Sequence, residues 1–432
     1  MASDQAVQAG AGDAAPSRGV FASRDFTRLW AGQTVSLIGT QVTQFTMPLV
    51  AVLTLRATVF EVGVLNSLRF VPVLLLSVFA GVWLDRRRRR PVLIFCALGN
   101  AVLIGLVPIA AATGELSIGL LYAVNGLVGT LNMIFDVGAL SYVPFLVQRD
   151  KLSEANARLQ VSGAVAGISG PGLAGLLVGL ITAPVTLSVD AASYLASAIG
   201  LISVTSREPE PSPTGASILG SIAEGFRAVF GSRLLRALIT QSTALNLFFG
   251  SFITIFVVYA VRTLHLRPVQ LGIVIGASAA GGLAGALLAT RARKALGFGK
   301  AMAVTTIGVS AAPLLLLIPR HASVLAIVIM VLAQLGYGAS ISAFNVNAIT
   351  LRQVVTPTRL LARMNATYRM LIWGAAPVGA VAGGLLGSAV GLRAAVLISL
   401  IAMTSPILWI FFSPVFRLSE MPKGPLVQEE NR

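Results

Sequence analysis

Two aspartates stand inside long apolar runs, Asp136 and Asp190. A charged acid in hydrocarbon costs about 2.5–3.5 kcal/mol even on the lenient insertion scale, so such a residue is seldom idle. The chemistry open to it is reversible protonation, and both are proton-coupling candidates. The bland readings are structural: Asp136 near the inner end of its run, paired with Arg149 or Arg158 or serving a gate, and Asp190 hydrated near the outer interface. Arg69 lies in a third apolar run and joins the coupling candidates; it either snorkels outward or pairs with Glu61 or Asp190. A fourth feature is Gly81-Val-Trp-Leu-Asp85-Arg-Arg-Arg-Arg-Arg90-Pro91. Asp85 closes a helical run, where an acid meets the negative end of the helix dipole and wants a partner. Arg86, Arg89 and Arg90 are at hand, so Gly81, Asp85 and these arginines read as a latch.

The elements that position these residues are membrane spans. Of 432 residues, 56% are hydrophobic and 11% charged, and the mean hydropathy is +0.85. A soluble domain would carry about 25% charge. Apolar runs of about 20 residues, long enough to cross hydrocarbon, recur throughout. They predict an all-α membrane protein with twelve spans, near 28–53, 61–83, 91–112, 117–140, 157–180, 185–204, 237–260, 269–290, 300–319, 322–346, 361–386 and 389–413. A tail (1–25), a six-helix bundle (26–205), a linker with an amphipathic helix (206–235), a second bundle (236–414) and a tail (415–432) follow from that division. The linker opens with the Pro-rich stretch 207–215; beyond it Ile218, Ile222, Phe226, Val229 and Phe230 recur at helical spacing, as expected of a helix on the membrane surface or packed on the protein.

Net charge is +16, but the basic residues do not form one patch. Arg86–Arg90, Arg149 with Lys151, Arg291 with Arg293 and Lys294, and Arg352 with Arg359 and Arg363 fall in alternate links. That is the positive-inside pattern, not a nucleic-acid surface. It places both termini in the cytoplasm of a bacterial cell and the chain in its plasma membrane. Residues 1–20 have no apolar core, so no cleaved signal peptide is expected. Cys96 is the single cysteine, and the two histidines, His265 and His321, fall in outer loops. No metal site or nucleophile triad can be assembled. None of the four lysines is followed by Ser or Thr, so ATP is not a direct fuel. An enzyme is not expected.

Polar stripes run along two spans. Gln33, Ser36, Thr40 and Gln44 recur every three or four residues in the first, and Thr240, Thr243, Asn246, Gly250 and Thr254 in the seventh. Lipid does not accept such faces, so they look toward protein or water. The halves also echo each other. Lys151–Asn156 before span five is matched by Leu360–Asn365 before span eleven, Gly170-Pro171…Gly175 by Ala376-Pro377…Gly383-Gly384, and Gly81…Asp85 by Gly285…Ala289. A repeat in the same orientation implies two bundles related by an axis along the membrane normal.

These features resemble the major facilitator superfamily, most of all its drug and secondary-metabolite exporter branches, including macrolide-efflux and siderophore-exporter relatives. The resemblance covers nearly all the membrane region. It rests on the Gly81…Asp85-Arg motif, the Val143-Pro-Phe-Leu…Leu152-Ser-Glu-Ala-Asn156 link, and Gly163…Gly167…Gly170-Pro171-Gly172…Gly175, similar to the antiporter motif. It implies twelve helices in two pseudo-symmetric bundles that rock about a central cavity lined by spans one, four, seven and ten. Cavity candidates are then Gln33, Ser36, Thr40, Gln44, Asn125, Thr130, Asn132, Thr243, Asn246, Gln334, Tyr337 and Asn345, with Phe45, Phe248 and Trp373 as aromatic walls. The resemblance also implies that Asp85 faces the start of span eleven and that Gly167, Gly170, Pro171 and Gly175 form a close-packed, pliable helix. The expected activity is export of a small amphipathic compound by proton antiport, with the proton as coupling ion, no cofactor, no nucleic acid and a monomer in the lipid bilayer. A siderophore exporter, an uptake permease and a non-transporting receptor are the alternatives.

Overall fold

The computed structural model describes residues 20–206, 208, 218–422 and 424; 1–19, most of 207–217 and the last residues lie outside the described set. Among the described residues twelve helical segments are long and apolar enough to span a membrane. They are α1 (Arg24–Leu49), α2 (Val59–Asp85), α3 (Arg89–Thr113), α4 (Ile118–Leu146), α5 (Leu152–Ile181), α6 (Ala183–Ile202), α8 (Arg233–Arg262), α9 (Pro268–Leu296), α10 (Phe298–Ala311), α11 (Val324–Val355), α12 (Leu361–Val390), and a last span broken into α13 (Leu392–Ala402) and α14 (Ser405–Phe412). The connecting helix is α7 (Ile218–Gly231). Two local breaks have plain causes. Pro313 turns the end of α10 into a 3-10 segment, Ala312–Leu317, and Pro406 opens α14 after the break at Met403 and Thr404.

The chain threads back and forth, so the links fall at two ends. The basic end carries the arginine clusters; the hairpin end carries the other loops. Several helices outrun their hydropathic spans at the basic end: α4 continues to Leu146 and α11 to Val355. Hydropathy marks the hydrocarbon, whereas a helix can continue into water. Asp136 therefore lies ten residues, about 15 Å, from the end of α4, deeper than expected.

The basic end is tied by carboxylates. Arg88, the N-cap of α3, offers no side-chain cap. Glu208 takes that role, accepting from the backbone N–H of Arg89 (2.7 Å) and Arg90 (3.2 Å) and from Arg89 Nη1 (3.1 Å). Arg90 donates to the carbonyls of Leu201 and Ile202 at the end of α6. Asp25 likewise gathers the backbone N–H groups and hydroxyls of Thr205 and Ser206. Glu208→Ala uncaps α3 and removes the Arg89–Glu208 ion pair, a loss of about 1–3 kcal/mol. A lowered thermal midpoint in detergent is expected; an unchanged one would contradict the cap.

Helix α7 packs on the protein. Val229 is fully buried, Gly225 abuts the Arg363 carbonyl and Thr367 of α12, and Glu224 pairs with Arg363. Residues 415–419, expected to begin a tail, are docked instead. Val415 is buried, and the carbonyls of Leu418 and Ser419 accept from Gly299 and Phe298 at the start of α10. They satisfy orphan donors that α10 would otherwise expose.

Small residues hold each bundle together. Gly281 and Gly285 of α9 lie against the backbone of Leu335 and Ala339, and Gly338 of α11 against Ser278. Van der Waals packing, not hydrophobicity, drives helix association in lipid, so close backbones matter.

Candidate functional site

The two halves meet most closely on the hairpin side. There α2 packs on α12: a side chain at Gly63 would strike the Ala380 carbonyl at 2.6 Å, and one at Gly384 the Phe60 Cα at 2.9 Å. Helix α5 packs on α9 in the same way. Gly175 abuts the Pro268 carbonyl, Gly272 the Pro171 carbonyl, and Gly167 lies near Ala279. Gly170 instead faces Gln41 of α1, while Gly163 and Gly172 meet nothing. Among the described residues three hydrogen bonds join the halves directly. Arg262 Nη2 donates to the Ala57 carbonyl (2.7 Å), Asn66 to Thr254 Oγ1 (3.2 Å) and Ser67 to the Pro377 carbonyl (3.3 Å). All lie on the hairpin side of mid-membrane.

Beneath this seal is a cavity of about 410 Å³ with walls from both halves. Helix α1 contributes Gln41, Gln44, Phe45, Met47 and Pro48; α2 contributes Asn66, Arg69 and Phe70; α4 and α5 contribute Asn125 and Pro171. From the other half come Asn246, Phe249, Gly250, Ile253, Thr254 and Val257 of α8, Leu271 and Ile275 of α9, and Trp373, Ala376 and Ala380 of α12. The α8 residues recur at three- and four-residue steps, the stripe of one helix face. Phe70 and Trp373 meet edge to face across the halves, ring centroids 5.9 Å apart. Phe249 stacks on Tyr337 at 5.2 Å.

Of the residues expected to line a cavity, Gln44, Asn125, Asn246, Phe45 and Trp373 border this one. The others do not. Thr40 and Asn132 both engage the Tyr194 hydroxyl, and Asn132 also accepts from Asn100, a network inside the first bundle. Thr130 bonds back to its own helix. Ser36 and Gln334 are buried. Gln33, Thr243 and Asn345 lie outside the wall, Tyr337 supports it from behind, and Phe249 stands where Phe248 was expected. Span ten, α11, contributes nothing to this wall. The physical reason is the seal: α2, α5, α9 and α12 lean across it and close the cavity from the sides.

The charged residues separate by environment. Asp190 is not hydrated: it is 0% exposed, abuts Gly39 of α1, and accepts from Ser193 Oγ at 2.9 Å. Asp136 is exposed on the surface of its helix although it lies mid-helix. Its nearest opposite influences are Arg369 of α12, in the other half, and Arg69. Arg158 is not its partner, being engaged by Glu154 at 3.9 Å and by the Phe21 ring; the Arg149 side chain lies outside the described residues. Arg369 is also exposed and stands 6.0 Å from the Trp373 ring. Asp136 and Arg369, one from each half, thus act on each other electrostatically on the basic side of the cavity. Arg69 is not paired with Glu61, which caps its own helix through Thr58. The side chain of Asp85 and the surroundings of Gly81 lie outside the described residues, and the latch with them. No cluster of three or more His, Cys, Asp or Glu among the described residues could hold a metal.

The sequence profile of the transmembrane secretion effector family matches residues 15–428. The chain belongs to that family, within the major facilitator superfamily. It is 27% identical over 373 residues to the multidrug efflux pump Tap of Mycolicibacterium fortuitum, spanning 81% of this chain and 86% of Tap. Its likeness to Tap of Mycobacterium tuberculosis (strain ATCC 25618 / H37Rv) is 28% over 357 residues, 77% of this chain and 80% of that one. Solved structures share the fold at lower identity. The nucleoside transporter NupG matches at TM-score 0.72 and 13% identity, covering 90% of this chain and 97% of NupG. A bacterial homologue of the iron transporter ferroportin in its inward-facing state matches at 0.71 and 19% identity, covering 90% and 98%. The same homologue in its outward-facing state matches at 0.57. This member of the secretion effector family is thus a multi-pass, twelve-helix transporter by fold.

Proposed function

We propose that the protein exports small amphipathic organic compounds, such as a drug, antibiotic or secondary metabolite, across the bacterial cytoplasmic membrane by alternating access and proton antiport. Both termini are cytoplasmic, and the chain acts as a carrier without cofactor, not as an enzyme. The observation that carries this reading is a cavity walled by both halves, whose direct hydrogen bonds between the halves, among the described residues, lie on the hairpin side. The positive-inside pattern makes the basic end cytoplasmic, so the cavity loads from within the cell. The relatives named multidrug efflux pumps support export.

Coupling is assigned to Asp136. Its side chain is exposed, whereas Asp190 is sealed inside its bundle. Ionised Asp136 attracts Arg369 and draws the halves together at the basic end, which carries substrate outward. A proton arriving from outside cancels that attraction and lets the basic end open again. Asp190 serves instead as a buried counter-charge near Arg69.

A susceptibility panel in an exporter-deficient bacterium tests the reading. Expression should raise the inhibitory concentration of several amphipathic compounds and lower their accumulation, and uncouplers should abolish both effects. Accumulation equal to the empty vector for every compound would contradict export.

A further inference from the structure

Arg69 is the one charged residue in the cavity wall, and the wall contains no Asp or Glu. Gly129 lets α4 press against the Arg69 backbone, and Asn125 donates to the Leu65 carbonyl at 2.6 Å, so the arginine is held from behind. Among the described residues its guanidinium makes no hydrogen bond and no ion pair. Tyr194, Asp190 and Asp136 act on it only at longer range. An intramembrane arginine normally pairs or snorkels; here its donors open onto a cavity. Beside it Gln41 and Gln44 present amides with no partner among the described residues, and Phe70, Trp373 and Phe249 supply aromatic faces. Toward the basic end a second cation, Arg369, stands 6.0 Å from the Trp373 ring, with Asp136 as its own opposite charge.

We infer that the cavity selects anionic aromatic amphipaths, whose carboxylate or other oxyanion is held by Arg69 and whose ring lies among Phe70, Trp373 and Phe249. A guanidinium presents a fork of donors that matches an oxyanion and, unlike an amide, repels a cation. This deepens the export reading and rests on it for the word substrate, but not for binding.

Three matched probes test it: naphthalene-2-acetic acid, its primary amide, and 2-(2-naphthyl)ethylamine. Calorimetric titration of the protein in nanodiscs, corrected against empty nanodiscs, gives the ranking. The acid should bind at least about tenfold more tightly than the amine, with the amide between. Arg69→Gln should cost the acid about tenfold or more and leave the amide within about threefold; Arg69→Lys should retain part of the preference. Amide binding and the thermal midpoint report whether the variants fold, and the wild-type ranking needs no variant. An amine that binds as well as the acid, or an acid unaffected by Arg69→Gln in a folded protein, overturns the inference. A failed susceptibility panel with the ranking intact would remove export alone; a flat ranking with efflux intact would remove only the anion selectivity.

Discussion

Asp136→Asn should abolish gradient-driven export while leaving substrate binding at the basic end. Asparagine keeps the shape of the side chain but loses the charge that attracts Arg369 of the other half. Each proton moving through 100 mV supplies about 2.3 kcal/mol, which sustains about a fiftyfold accumulation ratio. In proteoliposomes with an imposed proton gradient, the variant should lose that factor. Arg369→Gln should reproduce the loss, and the double variant should be little worse than either single one, because both act through one interaction. Asp190→Asn should retain dependence on the gradient. Gradient-driven export persisting in Asp136→Asn would take the coupling away from Asp136, and its loss only in Asp190→Asn would move it to Asp190.

Gly175→Val should trap the protein away from the described conformer. A side chain there strikes the Pro268 carbonyl, at the contact that shuts the hairpin side between α5 and α9. Neither partner can yield by rotating a side chain, because the obstacle is backbone. Overpacking of this kind costs about 1–3 kcal/mol or more. The cost falls on the state closed at the hairpin side and much less on one in which α5 and α9 separate there. Populations near balance then shift by about tenfold or more. Gly272→Val, which strikes the Pro171 carbonyl, should behave alike. Cysteines at the hairpin-side contact should become more reactive to a membrane-impermeant thiol reagent in both variants, and transport should stop. Unaltered labelling with normal transport would mean that the contact does not govern the cycle. Gly163→Val serves as control, since an added Cβ there has no neighbour within 4 Å.

Much of the architecture was legible because hydrocarbon imposes it. Apolar length set the spans, and alternation of arginines set the two ends. The cavity was legible only in part. A stripe such as Gln33, Ser36, Thr40 and Gln44 reveals a polar face but not what the face meets: Gln44 reaches the cavity, whereas Thr40 turns to Tyr194 within the bundle. Asn66, Arg69 and Phe70 occupy one face of α2 at steps of three and four. Taken together they carry a signal that Arg69 alone does not. Asp136 was placed too near a helix end because hydropathy falls before the helix stops. Glu208 could not have been assigned, since a linker carboxylate capping a helix 119 residues earlier leaves no local pattern.

The central claim is that the halves rock about the cavity, and paired distances test it most directly. In a Cys96→Ala background, spin labels at positions 148 and 353 report the basic end and labels at 115 and 320 the hairpin end; all four native residues are exposed. Electron–electron distance measurements in nanodiscs at varied pH and with substrate should show two populations whose changes are reciprocal, the basic pair shortening as the hairpin pair lengthens. A single fixed distance at both ends, or both ends widening together, would contradict the account.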